Sequence, residues 1–168
     1  MDWLINDALP LLARIFIVWI FPFSFLDKII NHEAAVKQAS SSWLPGGAAL
    51  LYPAMAVELL TPPMIVFGIY DGIAAFVLAG YCAITALLFH NFWSYPRFWS
   101  SDSEGYSHVW DFFKNFGLVG GLIFIMYASG FIQTVGEEIE HAAALSQDLV
   151  VQDLVVQDSA ASASFNRE

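Results

Sequence analysis

Residues 86–121 read ALLFHNFWSYPRFWSSDSEGYSHVWDFFKNFGLVGG, and their pattern decides the fold. An apolar run closes on Phe89-His90-Asn91-Phe92-Trp93. A polar loop follows, and a second apolar run opens through His108, Trp110, Asp111, Lys114 and Asn115. Each run is long enough to cross a hydrocarbon core roughly 30 Å thick, which takes about 20 apolar residues in a helix. Two spanning helices therefore meet the water at one boundary. There they carry two histidines, two asparagines, an acid, a base and several aromatic rings.

Outward from this stretch, the chain repeats the theme. Apolar runs at about 9–30, 48–70, 73–93 and 109–131 predict four spanning helices. The fold expected is an all-α membrane protein, a four-transmembrane-helix bundle over residues 1–133 with a disordered acidic C-terminal tail at 134–168. Continuous apolar runs without period-2 alternation exclude a transmembrane barrel. In the first run, Pro10 suits an opening helical turn. Arg14 can snorkel to the interface, and Pro22 predicts a kink. Residues 31–47 form a polar connection, read as holding a short interfacial helix anchored by Trp43. The second run is interrupted by Pro53, Glu58, Pro62 and Pro63, and Asp71-Gly72 reads as a tight turn. Ala75, Ala79 and Ala83 form a small-residue stripe, and Gly117 and Gly121 a GxxxG pair. Both predict close helix packing in lipid, with contacts in a homo-oligomer as the second reading. Four spans put both termini on one side. Lys28, Lys37, Arg97 and Lys114 lie near the two long loops, which predicts cytoplasmic loops.

Composition agrees with a lipid environment. The chain is 58% hydrophobic and 13% charged, with a mean hydropathy of +0.60, where a soluble domain is about a quarter charged. A net charge of −10 and only six scattered basic residues exclude nucleic acid as a partner. The lone Cys82 excludes an internal disulfide, a CxxC pair and a covalent c-type haem, and reads as a buried thiol. Beyond Phe131 stand seven acids and one base. There, Gln147-Asp148-Leu149-Val150-Val151 is repeated directly as Gln152-Asp153-Leu154-Val155-Val156. A period of five fits neither a helix face nor a strand face, so disorder is the expectation.

Chemistry must come from the few polar residues among the apolar ones. A carboxylate inside a span is costly unless it is protonated, paired or wetted, which singles out Glu58. Lys114 and Lys28 are its candidate partners, with Lys114 preferred. The site is read as a register-fixing ion pair or as a proton-handling or headgroup-binding centre. His32, His90 and His108 fall at one level but in no close ligand spacing, so no metal site is expected. A quinone headgroup needs a hydrogen-bond donor, an apolar slot and a protonatable neighbour. His90, Asn91, Lys114, Asn115 and Glu58 can supply the polar groups, with Trp93, Trp110, Phe112 and Phe113 as walls. The same rings would also form an ordinary aromatic belt. Non-covalent quinone is the one cofactor expectation. No Gly-rich phosphate loop, GxSxG or HExxH is present.

Several pieces together carry a resemblance. Phe89-His90-Asn91-Phe92-Trp93, and Asp111-Phe112-Phe113-Lys114-Asn115 leading into Gly117-Leu118-Val119-Gly120-Gly121, resemble the third and fourth helices of the DoxX family. Ala56-Val57-Glu58-Leu59-Leu60 with a later Gly68 resembles its second helix, and Arg14 and Lys28 fall where its first helix carries a base. The likeness runs over about residues 11–127. The chain departs from it at Thr61-Pro62-Pro63, where the family continues into glycines, and at Ser24-Phe25, where a glycine precedes the lysine. The resemblance implies a four-helix bacterial inner (plasma) membrane protein. It also implies association with membrane redox complexes, the family being named for a small subunit of a quinone-linked thiosulfate oxidoreductase. The expected function is an accessory or anchor subunit of such a complex, non-catalytic by itself, with redox-protein partners. A carrier for a lipid or apolar metabolite and a purely structural module are the alternatives.

Overall fold

The computed structural model describes residues 1–41 and 46–165; Trp43 lies outside the described residues. A π-helical turn, Leu4–Ala8, leads into α1 (Leu9–Val18) and α2 (Ile20–Ile30). The break between them at Trp19 has a covalent cause: Pro22 has no N–H to give the carbonyl of Val18. A short helix in the first polar connection, α3 (His32–Ser40), fits the interfacial helix expected there. Next come α4 (Leu51–Phe67), α5 (Asp71–Phe89), α6 (Gly105–Ala128) and α7 (Phe131–Phe165). Four stretches are long and apolar enough to cross a membrane: Leu4–Ile30, Gly47–Phe67, Asp71–Ser94 and Gly105–Ala128. The protein is therefore an all-α, multi-pass membrane protein built on four spans.

The turn between α4 and α5 sits earlier than Asp71-Gly72. Gly68 takes φ 70° as the left-handed cap of α4, and the Ile69 N–H returns to the Met64 carbonyl at 2.9 Å. That closes the helix as glycine caps do. Asp71 instead opens α5, its Oδ1 accepting from the Gly72 N–H at 3.1 Å.

Within Met1–Gly130, α4 packs on α5 and α5 on α6, while α1 closes against both α4 and α6. α2 continues the first span along α4. α4 and α6 do not meet; α5 and the first span stand between them. The core is Val18, Phe21, Ile65, Ala74, Ala75, Leu78, Ala79, Cys82, Leu122 and Ile125. Ala75 and Ala79 are buried there, which realises most of the small-residue stripe. The GxxxG pair behaves unequally. A Cβ on Gly121 would meet Ile17 Cδ1 at 3.1 Å, whereas one on Gly117 meets nothing within 4 Å. Large side chains such as Phe16, Trp19, Phe76 and Phe124 are exposed on the outside of the bundle, as a lipid-facing surface allows.

Residues 131–168 form a unit of their own. Their backbone is helical to Phe165, and residues 132–150 are exposed throughout. Such a helix rests on its local hydrogen bonds, which leave an isolated helix only marginally stable in water.

Candidate functional site

Glu58 is the most buried charged residue described, at 1% exposure. It stands on α4 between α2 and α5. Its Oε1 accepts from the Lys28 ammonium at 2.8 Å, the Tyr81 hydroxyl at 2.6 Å and the Ser24 hydroxyl at 2.9 Å. Lys28 Nζ also donates to Ser24 Oγ at 2.7 Å. Ser24 and Lys28 are four apart, so they share one face of α2. Glu58 Oε2 is buried and has no hydrogen-bond partner. A carboxylate has about four lone-pair sites, so one oxygen here is saturated and the other bare. One turn on, Pro62 has no N–H for the Glu58 backbone carbonyl, and Thr61 Oγ1 donates to the Val57 carbonyl at 2.8 Å.

The structure corrects the preferred partner of Glu58: it is Lys28, and Lys114 is elsewhere. The cause is side-chain direction. In a helix, side chains lean toward the N-terminus. α2 runs toward the long-loop side, so the Lys28 stem leans back into the bundle. α6 runs the other way, so Lys114 leans out to the loop boundary. It meets Asp111 Oδ1 there at 3.3 Å, with its side chain 72% exposed. The same rule places Arg14, whose Nη2 meets Asp71 Oδ2 at 2.6 Å. Its Nη1 donates at 2.9 Å to the Ile65 carbonyl, which also accepts from the Gly68 N–H at 3.4 Å in the last turn of α4.

The other residues of the expected site stay at the loop boundary and do not join Glu58. His90, at the end of α5, has its Nδ1 3.4 Å from Nδ1 of His108, and Asp111 Oδ2 stands 4.0 Å from it. Tyr95 stacks on the His108 ring at 5.0 Å. Asn91 donates to Ser94 Oγ at 3.2 Å and Asn115 to the Asp111 carbonyl at 2.8 Å, so each is engaged within its own segment. Of the expected slot walls, Trp93, Phe112 and Phe113 pack on one another. Phe92 sits among them, 5.4 Å from Phe112, 6.2 Å from Phe113 and 5.2 Å from Trp93, centroid to centroid. Trp110 turns aside to Tyr106. In the loop, Ser100 and Arg97 both bond Asp102, and the Ser100 hydroxyl holds that carboxyl below its usual range. Among the described residues, no group of three or more His, Cys, Asp or Glu is placed to hold a metal ion.

Sequence reasoning missed Ser24 and Tyr81 as partners of Glu58, and Asp71 as the partner of Arg14. Signals for them existed. Ser24 lies one turn before Lys28, and Tyr81 puts a hydroxyl in the middle of an otherwise apolar helix.

The arrangement defines a class: a four-span membrane bundle whose first span is tied to an α4–α5 hairpin by two ion pairs, one of them inside the apolar region. The DoxX family model matches residues 9–91, and the chain belongs to that family. The match covers the first three spans, including Lys28, Glu58 and Tyr81; the motif at residues 111–121 lies beyond it. No curated protein and no solved structure matches the chain.

Proposed function

We propose that the chain is an accessory, non-catalytic subunit that anchors a redox partner of a quinone-linked complex in the bacterial inner (plasma) membrane, with its long loops in the cytoplasm. One observation carries the accessory reading. The polar groups of the bundle are spent on holding helices and loops together, and Phe92 packs among the rings at the loop-side boundary. An enzyme of this size would need reactive groups converging on an open space. A crevice of about 390 Å³ on the spans is an open groove lined by Phe16, Trp19, Ile20, Lys114, Gly117 and Leu118. A carrier for an apolar metabolite would call for a chamber that buries most of its ligand. The redox association is what the family resemblance implies. The exposed rings of Trp93, Trp99 and Phe113 offer the loop-side boundary a surface for headgroups or a partner.

The test is purification of the full chain from its native membrane in mild detergent, with mass spectrometry of protein partners and extracted quinone. A redox protein recovered in stoichiometric amount, and impaired quinol-linked oxygen consumption when the chain is deleted, are the expected results. Recovery of the chain alone, with respiration unchanged by deletion, would overturn the proposal.

A further inference from the structure

Glu58 Oε2 is buried and accepts no hydrogen bond, while Oε1 accepts three. Leaving a buried acceptor unpaired costs about 1–3 kcal/mol, and more when it carries charge. Nothing in the packing leaves room at Oε2 for a ligand with heavy atoms, since Glu58 is 1% exposed. A proton needs no such room. An O–H formed at Oε2 removes the negative charge, and Tyr81 and Ser24 can still donate to Oε1. Only Lys28 loses by it, because its counter-charge is gone.

Lys28 has somewhere to go. It lies two residues before Ile30, the loop-side end of the first span, and its side chain is 20% exposed. A lysine stem of four carbons can turn from the bundle to the interface. On the opposite side, the other cation of the first span, Arg14, is held by Asp71 and by the Ile65 carbonyl and does not reach Glu58. The ionisable groups facing Glu58 are few. α2 brings Lys28, and α5 brings Tyr81 with Cys82 beside it. Asp27 bonds Asn31 at the surface, Glu33 and Lys37 on α3 are exposed, and His32 stands against Tyr52.

We propose that Glu58 is a reversible proton-binding centre with one-sided access. A proton from the loop-side water binds Oε2, the Lys28–Oε1 contact breaks, and the Lys28 ammonium moves to the loop-side boundary. One O–H bond forms, one ion contact is lost, and the positive charge ends at the interface instead of inside the bundle. This stands independently of the redox reading, since the isolated chain binds the proton without any partner.

The experiment is infrared spectroscopy of the purified full chain in lipid vesicles, following the C=O stretch of a protonated carboxyl between about pH 4 and pH 10. The native chain should show a band that grows with acidity, and Glu58→Gln should lose it. Lys28→Met should bind the proton at least about tenfold more tightly, the lower end of what removing a neighbouring opposite charge does. Lys28→Arg should restore native behaviour. Tyr81→Phe, which removes one donor to Oε1, should tighten binding by a smaller factor and serves if Glu58→Gln does not fold. In vesicles holding the chain in one orientation, acidifying the loop side alone should raise the band promptly, and acidifying the other side should not. No band in the native chain, a band that survives Glu58→Gln, an unchanged affinity in both Lys28→Met and Tyr81→Phe, or equal response from both sides would each sink the proposal. Failure to find a redox partner would not, so the two readings fail separately.

Discussion

Replacing Lys28 by Met and Lys114 by Met tests which lysine holds Glu58. Lys28 and Glu58 have side-chain exposures of 20% and 2%. Removing one member of a buried pair leaves an uncompensated charge and costs about 3–5 kcal/mol. Partial exposure of Lys28 admits some solvent screening, which brings the expected loss to about 2–4 kcal/mol. Lys114 and Asp111 are 72% and 41% exposed and three residues apart on α6. Such a surface pair contributes at most about 0.5 kcal/mol. Each substitution is then combined with Glu58→Gln in a double-mutant cycle, because direct partners couple and distant residues add. The Lys28–Glu58 coupling should be about 1–3 kcal/mol, and the Lys114–Glu58 coupling under about 0.5 kcal/mol. Reversible unfolding in mixed detergent micelles, followed by far-ultraviolet circular dichroism, measures all of these. A Lys114–Glu58 coupling as large as that of Lys28 would refute the placement of Lys28 and the side-chain-direction argument with it.

Four further substitutions test the packing and the hydrogen bonding. Gly105→Ala should destabilise by about 1–3 kcal/mol, because its Cβ would lie 2.6 Å from Tyr95 Cβ and 3.0 Å from Phe98 Cβ; the same unfolding assay reads it. Gly117→Ala should be neutral or stabilising by up to about 1 kcal/mol, since the site is open and alanine is the better helix former. Gly121→Ala, pressed against Ile17, should be the costlier of the two, and the reverse order would show that the GxxxG face is used differently. Tyr81→Phe should cost about 1.5–3 kcal/mol, the worth of a hydrogen bond to a charged group, with no change in helix content of the folded state.

The four spans were legible because each is a continuous apolar run, and length alone then fixes the element. The short helix α3 was legible from its place between two spans. The pairing of charges was not, because hydropathy says which residues are buried but not which way a long side chain leans. Lys28 and Lys114 sit near the same boundary, so their positions in sequence do not separate them. Chain direction does: one helix arrives at that boundary and the other leaves it. The packing of the aromatic rings was not legible for a related reason. Phe92 belongs to the same aromatic set as Trp93 and Phe112, and composition cannot tell a ring that lines a space from one that fills it.

The two ion pairs also explain how the least buried span is held. Apolar burial drives little association between helices in lipid, because lipid tails are as apolar as the side chains they replace. The first span shows this most plainly, with 11% of its apolar window buried in the bundle. Yet it carries both cations of the interior, Arg14 and Lys28, and each meets a carboxylate on the α4–α5 hairpin. The cations are 14 residues apart, so about 21 Å separates them along a helix axis at about 1.5 Å per residue. Sliding the span by one turn, about 5.4 Å, would strip both pairs at once and leave two charged carboxylates and two cations unmatched. Register is therefore set by charge and not by fit. The centre at Glu58 is then under two demands, since the Lys28 contact that fixes the span is also the one that protonation breaks. Arg14–Asp71 has no such rival, and it can keep the span in place while Lys28 moves.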